Sequence, residues 1–252
     1  MVKKQVFTDP SRDQIDALIN LYYSGQAIQV IHTCKKLLKV HKKSLVLLNL
    51  LGAASQAIGK YEEAINSYNQ AIRVSPNDSG LRYNIGLAFQ NLGRPDSAIK
   101  NYNKAIQIKP DYAEAYNNLG SVLAEIMQPN EAIKNYNKAI QIKPDYAEAY
   151  NNLGNILKDL VKLNEAIKNY NKAIQIKPDY AEAYSNIGTT LQELGRLDEA
   201  IKNYKKSIQL KPDYAEAYNN IGTTLQELGR LDEAIKNYKK SIQLKPDYAE
   251  AY

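Results

Sequence analysis

Prolines stand at 76, 110, 144, 178, 212 and 246, each 34 residues after the one before. The words around them recur as well, with KPDYAEAY at 109–116, 143–150, 177–184, 211–218 and 245–252. A chain that returns to one word at this interval builds the same supersecondary unit repeatedly and stacks the copies, because one unit cannot bury its own apolar face. With Ala113 as position 1, full units run 113–146, 147–180, 181–214 and 215–248, and 79–112 and 45–78 keep the pattern more loosely. Residues 11–44 read as a degenerate first repeat or N-terminal cap, with Gly25 at the turn and Ile15, Leu18, Ile19 and Tyr22 at helical spacing. Residues 1–10 are an extension, and 249–252 read as the start of a truncated further repeat.

Each unit spells two helices. In 181–214, Tyr184, Ile187, Leu191 and Leu194 make an apolar stripe, and Gly195 follows as a C-terminal stop. Asp198 and Glu199 open the second helix, where an N-terminal capping role accounts for them. Ile201, Tyr204, Ile208 and Leu210 continue its apolar side until Pro212 ends it. Gly188 within the first helix costs about 1 kcal/mol relative to alanine. Packing must offset that cost, and with Ala200 and Ser207 the glycine is expected to let two helix backbones approach. The pattern predicts an all-α solenoid of antiparallel helix pairs.

One unit carries a more specific signature. In 113–146 it has Tyr116 at position 4, Leu119-Gly120 at 7–8, Ala132 at 20, Tyr136 at 24, Ala139 at 27 and Pro144 at 32. This resembles the tetratricopeptide repeat family, over essentially 11–252. The resemblance implies a right-handed superhelix whose first helices line a concave groove and whose second helices form the convex back. Departures are local: Leu48 and Arg82 replace the aromatic at position 4, and Met127 and Val161 replace the turn glycine, leaving the geometry of those two turns open.

The resemblance also implies that positions 2, 5, 6, 9, 12 and 13 face the groove. Position 6 is Asn84, Asn118, Asn152, Asn186 and Asn220, and position 5 adds Asn117, Asn151 and Asn219 beside Tyr83 and Ser185. Position 2 is Glu114, Glu148, Glu182 and Glu216, while position 12 is mostly Gln, with Lys158 the only cation. An amide offers both donors and an acceptor, so a ladder of them can hold an extended chain by its backbone. This is similar to the asparagine ladder in the tetratricopeptide superhelix of O-linked N-acetylglucosamine transferases. The expected partner is an extended peptide or protein segment, neutral or basic, bound by a non-catalytic scaffold. Two alternatives are the substrate-recruiting arm of a larger transferase and a scaffold that self-associates end to end through an uncapped C-terminal repeat.

Charge and composition remove other classes. The net charge of +6 sits mostly in 1–44, where eight Lys/Arg face three Asp, so the rest of the chain is nearly neutral and no nucleic-acid partner is implied. No apolar run spans a bilayer, and no membrane partner is expected. The single Cys34 suits a reducing, cytoplasmic setting and reads as a small buried residue. His32 and His41 lie off the spacing that places two ligands on one helix face, so no metal, cofactor or catalytic site is expected.

Overall fold

The computed structural model describes residues 9–246, and every regular element among them is an α-helix. The partial repeat expected at 249–252 lies outside the described residues, as do 1–8 of the N-terminal extension. Two compact units divide the chain between Gln128 and Pro129.

The first unit holds α1 (Arg12–Tyr23), α2 (Ala27–Leu38), α3 (Leu45–Ala57), α4 (Tyr61–Val74), α5 (Ser79–Asn91), α6 (Pro95–Ile108) and α7 (Ala113–Glu125). The second holds α8 (Pro129–Ile142), α9 (Ala147–Asp159), α10 (Leu163–Ile176), α11 (Ala181–Glu193), α12 (Leu197–Leu210), α13 (Ala215–Glu227) and α14 (Leu231–Leu244). Within each unit every helix packs on the next in sequence, and chain-distant helices barely meet. That is the contact pattern of a solenoid.

The chain chooses helix ends by local chemistry. Ser11 and Gln14 form a capping box on α1, and the side chains of Ser44 and Asp78 accept the N–H groups of Leu47 and Leu81. Of the acidic pair in the first turn of α12, Glu199 is engaged by the residue at the N-cap. Arg196, at the N-cap, grips Glu199 with both arms of its guanidinium, each N···O distance being 2.7 Å, and Arg230 holds Glu233 in the same way. A glutamate one turn after an arginine is within reach of a bidentate fork, which competes with capping for the carboxylate.

The helical glycines have a different partner from the one expected. At Gly188 a Cβ would lie 2.6 Å from a ring carbon of Tyr204, and at Gly154 2.5 Å from Tyr170. The glycine therefore makes room for the position-24 tyrosine ring, and the close approach is between helix backbone and aromatic face. Ala200, Ala166 and Ala173 are fully buried beside it.

Turns after the first helix of each pair share one geometry regardless of residue. Gly195 has φ 71°, and Met127 and Val161 have φ 58° and 59°. The hydrogen bonds are equivalent: Arg196 N–H donates to the Leu191 carbonyl at 2.9 Å, Gln128 to Leu123 at 2.9 Å, and Lys162 to Leu157 at 2.8 Å. This is the Schellman pattern, and it holds even where the left-handed residue is β-branched. The stacking of neighbours imposes a conformation that Val161 alone disfavours by about 1–2 kcal/mol. Val161→Gly should therefore raise stability by about 1 kcal/mol, read as a higher denaturant midpoint at unchanged slope. No gain would mean that the strain is absent.

Candidate functional site

The structure divides the expected groove wall into two layers. Position-5 residues Asn117, Asn151, Ser185 and Asn219 are buried, at 4–8 % exposure, while position-6 residues Asn84, Asn118, Asn152, Asn186 and Asn220 are half-buried. The two layers are joined across repeats. In the second unit, Asn186 Nδ2 donates to Asn151 Oδ1 of the preceding pair at 3.0 Å. In the first, Asn118 Nδ2 donates to the Tyr83 hydroxyl at 2.9 Å, and Asn117 Nδ2 donates to Asn118 Oδ1 at 3.1 Å. So position-5 residues orient Asn118 and Asn186. An amide nitrogen carries two hydrogens and its oxygen two lone pairs, so Asn186, with one hydrogen committed to Asn151, keeps a donor and an acceptor for a ligand, while Asn118 is also engaged by Tyr102. At Asn219 the inner acceptor Oδ1 is buried with no partner.

Other expected wall residues are committed elsewhere. Gln192 accepts from the Tyr204 hydroxyl at 3.1 Å and from Thr224 at 3.1 Å, and donates to Glu227 at 2.5 Å. Gln90 likewise accepts from Tyr102 at 2.8 Å and donates to Glu125 at 3.1 Å. Where position 12 is Lys158, the tyrosine turns to Asn155 Oδ1 instead, at 2.8 Å. The position-12 glutamines thus hold tyrosine hydroxyls and bridge pairs; they are not free recognition groups.

One position-2 glutamate, Glu148, sits beside a cation that reading the groove positions alone did not place there. Lys177 Nζ lies 3.5 Å from Glu148 and 4.8 Å above the Tyr180 ring. Lys109, Lys143 and Lys211 stand over Tyr112, Tyr146 and Tyr214 in the same way. Glu114 and Glu148 are half-buried, Glu182 and Glu216 exposed. Burial, reinforced by Tyr83 and Glu114 at Tyr112 and by Glu182 and Glu148 at Tyr180, pushes the two hydroxyls up to about 12. They are neutral donors at any physiological pH.

A further feature is an apolar pocket of about 380 Å³ in the first unit, lined by Ile19, Tyr22, Tyr23, Val46 and Leu50 among others. These are positions 9, 12, 13, 2 and 6 of the first two repeats. Applying the groove register to the loosest repeats finds them in the sequence. Cys34 is buried, and loss of hydration pushes its thiol up to about 11, leaving it protonated and inert. Among the described residues no His, Cys, Asp and Glu side chains gather in a metal-binding group, and no helix is long and apolar enough to cross a membrane.

Stacked helix pairs with a polar strip hydrogen-bonded from one pair to the next define a repeat scaffold of the helical solenoid class. The chain belongs to the tetratricopeptide repeat family. A model described as tetratricopeptide repeat matches 179–247, and one described as TPR repeat matches 56–93, 91–126, 128–161 and 155–195. Among solved structures, the crystal structure of MamA is 32% identical, covering 66% of this chain and 97% of that one with a TM-score of 0.58. YrrB, described as a TPR protein with an unusual peptide-binding site, is 24% identical over 75% of this chain and 97% of its own, at a TM-score of 0.58. The Cut9–Hcn1 hetero-tetramer of APC/C gives a TM-score of 0.76 at 18% identity, covering 96% of this chain and 48% of that one. A search of curated proteins finds no match. Repeats of this family are in general non-catalytic protein-interaction scaffolds.

Proposed function

We propose that this protein holds an extended polypeptide segment along its first helices, with the position-6 asparagines as rungs that pair with the ligand backbone. The observation that carries this reading is the inner layer. Asn186 is aimed by Asn151 and Asn118 by Tyr83, so the amides are oriented before a ligand arrives. Preorientation lowers the ordering cost of binding. The peptide-binding site in the description of YrrB supports the same reading by likeness of fold. Glutamates at position 2, with Lys177 already engaged by Glu148, favour neutral or basic segments over acidic tails on this face.

The test is Asn152, Asn186 and Asn220→Ala in the second unit, against a panel of unrelated extended peptides. A net hydrogen bond contributes about 0.5–1.5 kcal/mol, so each rung removed should weaken binding about two- to tenfold, whatever the peptide side chains. Asn186→Ala also strands the buried Asn151 Oδ1, so a loss of stability of about 1–3 kcal/mol is expected, and binding is to be measured where the variant remains fully folded. Undiminished affinity in the triple variant would overturn the proposal. So would tighter binding of an acidic peptide than of a basic one on this face.

A further inference from the structure

Three clefts at matching repeat positions lie against second helices, each lined in part by a first helix. The cleft of α9 and α10 is about 720 Å³ and is lined by Tyr150 and Glu165 together with three lysines. That of α11 and α12, about 580 Å³, is lined by Tyr184 and Glu199, again with three lysines. The cleft between α4 and α6, lined also by α5, is about 750 Å³ and differs at two places at once. Arg82 stands at position 4 in place of the tyrosine, and Ser97 stands at position 19 in place of the glutamate.

Both changes move the charge in one direction. Arg82, Lys100 and Lys104 line the cleft with no carboxylate among its walls. The acids of the surrounding helices are turned to other tasks or lie off the lining. Asp78 caps α5, Glu63 pairs with Lys35, and Asp96 is exposed in the first turn of α6. The Arg82 Nε is sealed from solvent and has no hydrogen-bond partner, an arrangement a protein rarely keeps without use. Lys104 spends one of its three hydrogens on Gln107, at 2.8 Å, and keeps two. Asn69 and Ser97 add neutral polar groups to the walls.

We infer that the cleft of Arg82, Ser97, Lys100 and Lys104 is a binding site for a phosphate monoester. Three cations facing an open cleft are matched by a doubly charged oxyanion, and arginine with lysine is the usual side-chain set for phosphate. The cleft is much larger than the oxyanion, so the remaining space takes the body that carries it. This site lies on other helix faces than the asparagine ladder and is independent of the function proposed above.

The test follows from the repeats themselves. R82Y/S97E installs the residues that the equivalent clefts already carry, so the fold should tolerate it, which circular dichroism and thermal melting will check. Two probes, a neutral peptide bearing one phosphoserine and glycerol phosphate, are titrated by calorimetry at physiological ionic strength, with the Arg82 Nε–H resonance followed by NMR. At least one probe should bind saturably and shift that resonance, and R82Y/S97E should weaken it at least tenfold. The stronger probe identifies the kind of molecule that carries the phosphate. K100Q/K104Q, which changes only exposed side chains, should weaken binding about threefold or more. The reverse exchange, Y184R/E199S, should raise the stoichiometry from one site to two. Absence of saturable binding by either probe, or undiminished affinity in R82Y/S97E, would overturn the inference.

Discussion

Raising the pH above 10 should unfold this protein steeply. Tyr68, Tyr102, Tyr170 and Tyr204 are the cause. All four rings are at most 1 % exposed, and burial raises each hydroxyl above the ordinary value of 10, Tyr204 to about 12 and the others further. Below pH 10 both folded and unfolded chains keep these protons, and the stability they contribute is fully present. Above pH 10 the unfolded chain loses them and the folded chain does not, so stability falls until the folded hydroxyls ionise in turn. Each group contributes a slope of about 1.4 kcal/mol per pH unit, so four together give about 5 kcal/mol per unit between pH 10 and 12. The ionisation of these four tyrosines and the loss of far-UV circular dichroism should come together as the pH rises. Ionisation of the four near pH 10, with the helices still intact, would contradict the burial described here.

The second large effect lies at the crossing of Gly188 and Tyr204. Tyr204→Ala should cost about 3–5 kcal/mol, as for other large aromatic truncations in a core. Gly188→Ala alone should cost about 1–3 kcal/mol, because a Cβ 2.6 Å from a fully buried ring forces that ring out of place. Once the ring is gone, the same glycine change should reverse sign, because alanine is the better helix former by about 1 kcal/mol. The double variant should therefore be more stable than Tyr204→Ala, with a coupling of at least about 2 kcal/mol. Hydrogen exchange of α11 and α12 is the suitable measurement, since a solenoid can lose one pair without losing all. Additive costs would show that the ring is not what the glycine accommodates.

Much of this was legible in the residues. The 34-residue interval of the prolines, with the recurring KPDYAEAY, predicts the helix pairs, and α9 to α14 start and stop where the words recur. The presence of a constraint at Gly188 was legible too, but its nature was not. A glycine in a helix announces a close neighbour without saying whether that neighbour is a backbone or a ring. The turns at Met127 and Val161 could not be read locally, because their left-handed conformation runs against the preference of the residues and is imposed by packing.

The asparagines mark the same boundary. Asn151 and Asn152 are adjacent and chemically identical, so the sequence determines that an amide strip exists and at what spacing. Adjacent residues on a helix point about 100° apart, and only the rotation of each helix against its neighbours decides which one is buried. The tertiary structure placed Asn151 inside as the acceptor and Asn186 of the next repeat half-buried as the donor, 35 residues apart. It likewise gathered Arg82, Ser97 and Lys104 at one cleft. The sequence supplied the period and the residue types at each position. Which positions face one another across the stack, and so which polar groups remain for a ligand, was decided by side-chain volumes meeting between helices, and no single repeat contains that information.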